Sequence, residues 1–209
     1  HSSMPPGEIG TVNLAKAVVA IHQDQFPLEL RGPGAAMIDV FAAKAGGMTK
    51  VAAANKWLLG GVIKKQMADS PAAAALLHTT IAPTMLQGSP KENVLPQSAE
   101  ALINYRIAPW DNSAKVLERA RAAVKGLAVK VDFTERAPRE PTPVSSASSL
   151  GWQMIVASAH AGHPGIVASP YLVVAATDSR SMTPVSDDVY RFAAISLGTA
   201  ETKMIHGTN

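Results

Sequence analysis

The fold is decided by residues 99–107, which read AEALINYRI. Small or apolar side chains at positions 101, 103, 105 and 107 alternate with those at 100, 102, 104 and 106. A period of two is typical of a strand with one buried face. On such a strand Arg106 shares the outer face with Asn104. The stretch therefore predicts a strand in an antiparallel sheet that is covered on one side.

Elements with other patterns surround this strand. Residues 79–86 are rich in β-branched side chains and precede a Gly-Ser-Pro turn, which predicts the preceding strand. A stripe at helical spacing predicts a helix from Asp111 to about Lys125, and alternation over 127–133 predicts a third strand. On the N-terminal side, a helix of about 15 residues is predicted after Glu8. Its predicted buried stripe consists of Val12, Ala15, Val18, Val19 and His22. Three further helices are predicted over residues 35–43, over residues 49–67 and, as a short helix, after Ser70-Pro71.

The order of these elements predicts an α+β fold, in which helices cover one face of an antiparallel sheet. Helix, strand, strand, helix, strand is a ferredoxin-like β-α-β-β-α-β unit without its first strand, and the helices within 31–77 are an extra insertion. That first strand would precede His1, and the chain begins without an initiator Met or a signal peptide. We therefore expect a piece of a longer protein.

A second region is predicted beyond the prolines at 138, 141 and 143, which interrupt the pattern between 137 and 144. It contains a predicted helix over 148–161 and an apolar run over 171–176, of the kind found in strands buried on both faces. One helix and one core strand cannot complete a parallel sheet. We therefore expect two domains, 1–137 and 138–209, the second being an incomplete α/β segment.

Composition narrows the classes of function. The 209 residues include no cysteine, which excludes disulfides, thiolate metal ligands and a cysteine nucleophile. The net charge of +3 is too small and dispersed to indicate nucleic acid. No apolar run reaches the roughly 18–20 residues that a membrane-spanning helix needs. We therefore expect neither a nucleic acid nor a membrane as partner, while the compartment stays unknown.

Few residues indicate chemistry by pattern alone. Asp178 follows the predicted strand at 171–176, where ligand contacts are common, but an Asx turn explains it equally well. His206 is a lone histidine beside Gly207, and a lone histidine is more often structural than a ligand. A metal site needs three or four ligands in a fixed geometry, and no His-Glu-x-x-His motif is present.

Seven short sequence strings, taken together and in this order, resemble those of a known protein family, although each string alone is a weak signal. They are HSSxPPG at 1–7, TTxAPTM at 79–85, KxNVLP at 91–96, NYRIxP at 104–109, TDSR at 177–180, VYRF at 189–192 and IHGxN at 205–209. Together they resemble the lid domain and the end of the catalytic domain of the di-zinc exopeptidase and deacylase family. That family includes carboxypeptidase S, glutamate carboxypeptidase G2, aminoacylase, acetylornithine deacetylase and succinyl-diaminopimelate desuccinylase, and the strings are most similar to the carboxypeptidase S branch.

The resemblance implies roles for five residues. His1 matches a lid histidine that helps to stabilise the oxyanion, often in the partner subunit's site, and Asn93 an asparagine that positions the scissile group. Arg106 matches the arginine that clamps the substrate's free carboxylate. His206 matches a ligand of one of two zinc ions, and Asp178 a residue that shapes the neighbouring loop. Without the resemblance, Asn93 is explained as a turn cap and Arg106 as the partner of a surface carboxylate.

The function implied by the resemblance is zinc-dependent hydrolysis of an amide next to a free carboxylate, by metal-hydroxide attack on a small peptide or an N-acyl amino acid. The family's other metal ligands precede its lid, so we expect the 209-residue chain alone to bind zinc weakly and to be inactive. The alternative is a non-catalytic dimerisation or binding module, and the lid also implies a homodimer. Trp110 and Ala175-Ala176 stand where the family has glycines, which predicts a changed loop shape near the site.

Overall fold

The computed structural model describes residues 2–134, 136–175 and 177–198, and they fall into two compact units. The first unit comprises the residues up to Val144 together with Ser169–Val174. The second comprises Ser145–Ala168 and the residues from Ala175 onward. Within the described residues, the strands and the first six helices belong to the first unit.

The first unit is built on an antiparallel hairpin of β1 (Thr80–Gln87) and β2 (Glu100–Arg106). Thr80 lies opposite Arg106, and the register shifts once after Pro83. Proline has no N–H to give to the ladder, so an irregularity beside it is expected. Both predicted strands are confirmed, and burial alternates along β2 as its sequence predicts.

Two helices, α1 (Gly10–Gln23) and α6 (Ser113–Ala123), cover one face of this hairpin. The side chain of Asn112 caps α6 by accepting a hydrogen bond of 2.8 Å from the backbone N–H of Lys115. This arrangement confirms the predicted α+β class. The core cluster consists of Ala17, Ile21, Ala120 and Val124, against which Ile81, Ile103 and Tyr105 pack from the strands.

The face of α1 that is buried differs from the predicted one by part of a helical turn. Ala17 and Ile21 are buried, whereas Val12 and Val19, which the sequence predicts to be in the core, are exposed. Helix α1 carries apolar side chains on two stripes, and Val18 lies between them. A period of 3.6 residues identifies each stripe but does not tell which one meets the sheet.

The predicted third strand over 127–133 is not a strand in the structure. Val129 and Val131 do pack against the core cluster, as the alternation predicts. However, the described residues pair into a two-stranded sheet only. The carbonyl of Val131 accepts a hydrogen bond of 3.0 Å from Nε of Arg121 instead of a ladder bond. Of the predicted ferredoxin-like sheet, the described residues therefore form one two-stranded hairpin.

The helical insertion consists of α2 (Gly32–Ala45), α3 (Gly47–Ala54), α4 (Lys56–Ala68) and α5 (Pro71–Ala74). The prediction of a single helix over 49–67 is wrong, because the helix is interrupted at Asn55. There the Asn55 amide donates a 2.8 Å hydrogen bond to the carbonyl of Val51, which ends α3. The cap predicted at Ser70 is confirmed, since its hydroxyl accepts from the N–H of Ala73.

The second unit contains α7 (Leu150–Gly162) and a short 3₁₀ helix (Asp178–Met182). Ser149 caps α7 by accepting from the N–H of Trp152, and the Trp152 ring lies 6.1 Å from that of Tyr190. No helix among the described residues is long and apolar enough to cross a membrane.

The strand predicted over 171–176 is wrong. The described residues 171–175 have no strand pairing, and Tyr171 and Val174 are exposed. An apolar run becomes a buried strand only when neighbouring strands supply hydrogen bonds on both sides, and the described residues provide none here.

Candidate functional site

Arg106 is the last residue of β2, and its side chain lies on the exposed face of the hairpin, as does that of Asn104. Within the part of the chain that the structure describes, no carboxylate pairs with Arg106. Its planar fork of N–H donors is thus open to a ligand, and that geometry suits the two oxygens of a carboxylate.

A buried polar network fixes this end of the hairpin. The hydroxyl of Thr79 donates to Oδ2 of Asp111 at 2.5 Å and accepts from the N–H of Ala108 at 3.0 Å. The ammonium group of Lys115 donates to the other oxygen of Asp111. Thr79 precedes β1 and Ala108 follows β2, so the network joins both strands at the end that carries Arg106. Sequence reasoning missed it, since only the position of Thr79 before a strand hints at such a role.

Asn93 is exposed in the loop that joins β1 to β2, at the end of the hairpin opposite to Arg106. The N–H of Ser2 donates a 3.1 Å hydrogen bond to the carbonyl of Asn93. The residue after His1 therefore lies against the Asn93 loop, although His1 itself is outside the described residues. Because β2 rises about 3.3 Å per residue, its ends are separated by about 20 Å.

Asp178 begins the 3₁₀ helix of the second unit and is exposed. Nε of Arg191 donates to the hydroxyls of Thr177 at 3.1 Å and Ser179 at 2.7 Å. The hydrogen bonds at this turn thus involve the residues that flank Asp178. His206, the predicted metal ligand, lies outside the described residues.

A charged pair acts electrostatically on Tyr105, whose side chain lies on the inner face of β2. Nη2 of Arg119 donates to the Asp24 carboxylate at 2.6 Å, and the guanidinium lies 4.8 Å from the centre of the Phe26 ring. Burial raises the pKa of Tyr105 to about 12; the negative charge of Asp24 adds to the rise and the positive charge of Arg119 opposes it. Tyr105 is therefore a neutral phenol on the inner face of β2.

The described side chains do not fit a zinc ion. Among them, no three His, Asp or Glu side chains approach closely enough to hold a metal. One His-x-Asp sequence occurs at 22–24, but Asp24 is paired with Arg119 and His22 is exposed at the end of α1. Arg106 and Asn93 are exposed and carry side-chain hydrogen-bond donors.

Comparison with known proteins identifies the family. The model of the M20 peptidase dimerisation domain matches residues 1–132. This chain belongs to that family, and the resemblance found in the sequence strings is confirmed. No solved structure gives a significant match.

Curated relatives match over the whole chain. The N-fatty-acyl-amino acid synthase/hydrolase PM20D1.1 of Danio rerio is 34% identical over 100% of this chain and 41% of its own length. PM20D1 of Homo sapiens is 30% identical over 100% of this chain and 42% of its own length. The probable carboxypeptidase S-like 2 of Dictyostelium discoideum is 27% identical over 99% of this chain and 40% of its own length. The chain thus spans about two fifths of the length of these relatives, which are named as hydrolases and peptidases.

Proposed function

We propose that this chain is the lid domain and the C-terminal part of the catalytic domain of a zinc-dependent hydrolase that cleaves an amide next to a free carboxylate, and that Arg106 binds that carboxylate. The exposed guanidinium at the end of β2, which pairs with no carboxylate among the described residues, is the observation that carries the proposal. A carboxylate bound by two parallel N–H···O bonds has both its charge and its orientation fixed. The cleavable amide is then held at a set distance from the hairpin.

The other predicted residues complete this assignment. We assign the Asn93 side chain to the amide carbonyl of the substrate, as a donor that positions it, and His1 to the oxyanion. From the resemblance come two zinc ions with His206 as one ligand, Asp178 as a support of the adjoining loop, and the domain limits 1–137 and 138–209. No described residue supplies a step through the metal, so the described part of this chain contributes the binding and orientation of the substrate.

The names of the relatives narrow the substrate class. Those called N-fatty-acyl-amino acid synthases/hydrolases point to N-acyl amino acids, and those called carboxypeptidase S-like point to small peptides. Both classes place a carboxylate next to the scissile amide, which is what Arg106 requires. We place N-acyl amino acids first, because the relatives of 30% identity or more bear that name.

Turnover by the whole protein tests this function. An N-acyl amino acid and its carboxamide analogue differ only in the carboxylate, and a lost charged hydrogen-bond pair costs about 10- to 100-fold in kcat/KM. We expect that preference for the free acid, and a similar one for dipeptides over their amides. Equal turnover of acid and carboxamide, or of neither, would contradict the proposal.

We further propose that the protein is a homodimer that pairs through the outer face of α1. Val12, Ala15 and Val19 lie on this face and are exposed, and both strands of the hairpin have an unpaired edge in the described part of the chain. The hairpin also separates Asn93 from Arg106 by the length of β2. A second copy would allow the Asn93 loop of one chain to serve the substrate bound by Arg106 of the other.

Sedimentation of the whole protein tests the dimer. The Val12→Asp/Val19→Asp double variant would bury two charges in the interface. We therefore expect the dissociation constant of the dimer to rise by about 100-fold. Val62→Asp places the same charge on an exposed valine of α4 and is the matched control, expected to stay dimeric. A wild-type monomer, or a double variant that remains a dimer, would argue against pairing through α1.

A further inference from the structure

One face of α4 in the helical insertion is exposed and apolar. Trp57, Leu58 and Val62 expose 83%, 65% and 65% of their surface. At 100° per residue they fall within an arc of about 140°, which also contains Gly61, Ala68 and the exposed Lys65. Three large apolar side chains on one exposed face, including an indole, indicate an interaction surface rather than scattered surface residues.

This face lies in a strongly basic segment. Residues 40–68 contain five lysines and no acidic residue, whereas the whole chain has a net charge of only +3. Lys56 is paired with Asp39 at 2.6 Å. The remaining four, Lys44, Lys50, Lys64 and Lys65, have no carboxylate partner in the described part of the chain.

We propose that the helical insertion docks on an anionic lipid surface. Trp57, Leu58 and Val62 enter the boundary between headgroups and acyl chains, and the lysines contact the acidic headgroups. A basic helix with Trp and Leu on its exposed face has the two attractions that such binding combines, apolar burial and charge. A second copy would bring like charges together, whereas an anionic lipid surface complements both the apolar side chains and the four lysines that have no carboxylate partner in the described part of the chain.

This proposal changes the expectation that no membrane is a partner. That expectation depends on the lack of a spanning segment, and peripheral docking needs none. Vesicle binding also involves no turnover, so its failure would leave the proposed hydrolase untouched.

Flotation of the whole protein with vesicles is the test. We expect binding to phosphatidylserine-containing vesicles at low salt, at least about tenfold less to pure phosphatidylcholine vesicles, and release by added salt. The Trp57→Ser/Leu58→Ser double variant should lose at least about tenfold in bound fraction, and Lys64→Glu/Lys65→Glu should lose the preference for phosphatidylserine. Leu86→Ser removes a leucine of 69% exposure on β1 and serves as the matched control, with binding unchanged.

Indole fluorescence shows where contact occurs. The emission should shift to shorter wavelength when phosphatidylserine vesicles are added, and Trp57→Phe should abolish the shift while it keeps the binding. No binding at low salt, or binding that Trp57→Ser/Leu58→Ser leaves unchanged, overturns the proposal. A double variant that changes oligomeric state, in a protein that does not bind vesicles, assigns this face to a second copy and overturns it as well.

Discussion

At the scale of single residues, the exposed guanidinium of Arg106 stands beside a buried polar network at the same end of the hairpin. Thr79 is fully buried, and its hydroxyl has one acceptor, Asp111, and one donor, the N–H of Ala108. Both hydrogen bonds lie at the end of the hairpin that carries Arg106. This network maintains the geometry from which Arg106 reaches outward, and it should be visible in stability rather than in binding.

Replacement of Asp111 tests that role. Asp111→Ala leaves the buried Thr79 hydroxyl without an acceptor, so we expect the free energy of unfolding to fall by about 1–3 kcal/mol. The Lys115 side chain is 53% exposed and regains water, so its lost ion pair adds little. Urea unfolding measures the change. Asp69→Ala, at an exposed helix end, is the control and should change stability by less than about 0.5 kcal/mol; equal effects would argue against the network.

Tyr105 gives a prediction for alkaline pH. Its pKa is raised to about 12 in the folded chain, mainly by burial, so the folded state binds the phenol proton more tightly than the unfolded state does. The resulting stability is complete below about pH 10 and is lost as pH rises towards 12. Tyr105→Phe should therefore lose less stability than wild type between about pH 10 and pH 12 in urea titrations. Tyr171→Phe, at an exposed tyrosine, should behave as wild type; identical pH slopes for all three would refute the assignment.

At the scale of elements, the sequence predicts best where a local period is enough. The alternation in residues 99–107 identifies β2 and the face of Arg106. The helical spacing of Val116, Ala120 and Val124 likewise identifies buried residues at α6. The segments 127–133 and 171–176 have the composition of strands, but a strand also needs a partner, which is a tertiary property. The buried side of α1 is likewise chosen by the sheet, because its two apolar stripes are locally equivalent.

Two glycines test how the insertion packs. A Cβ on Gly34 of α2 would lie 2.5 Å from the carbonyl oxygen of Leu76, and that backbone cannot move aside. Gly34→Ala should thus destabilise the chain by about 1–3 kcal/mol. Gly61 of α4 has no atom within 4 Å of its Cβ position, so Gly61→Ala should stabilise by about 0.5–1 kcal/mol. Thermal or urea unfolding distinguishes the two, and a neutral Gly34→Ala would mean that α2 packs less closely.

At the scale of the whole molecule, the candidate site is only partly contained in the described residues. Arg106 and Asn93 are at opposite ends of one hairpin, and Asp178 is in the second unit. Sequence strings predict such residues because the chemistry of each residue is local to its string. They do not show that Thr79 and Asp111 meet, since those residues are 32 positions apart. His1 and His206 stay predictions of the sequence.

The central claim is that Arg106 binds the substrate's carboxylate, and a two-by-two comparison of kcat/KM tests it most directly. Wild type and Arg106→Gln would each be measured in the whole protein with an N-acyl amino acid and its carboxamide. Arg139→Gln, at another exposed arginine, is the control and should match wild type. We predict that Arg106→Gln lowers kcat/KM about 100-fold for the acid and less than about threefold for the carboxamide. Equal losses for both substrates, or no loss for the acid, would contradict the account.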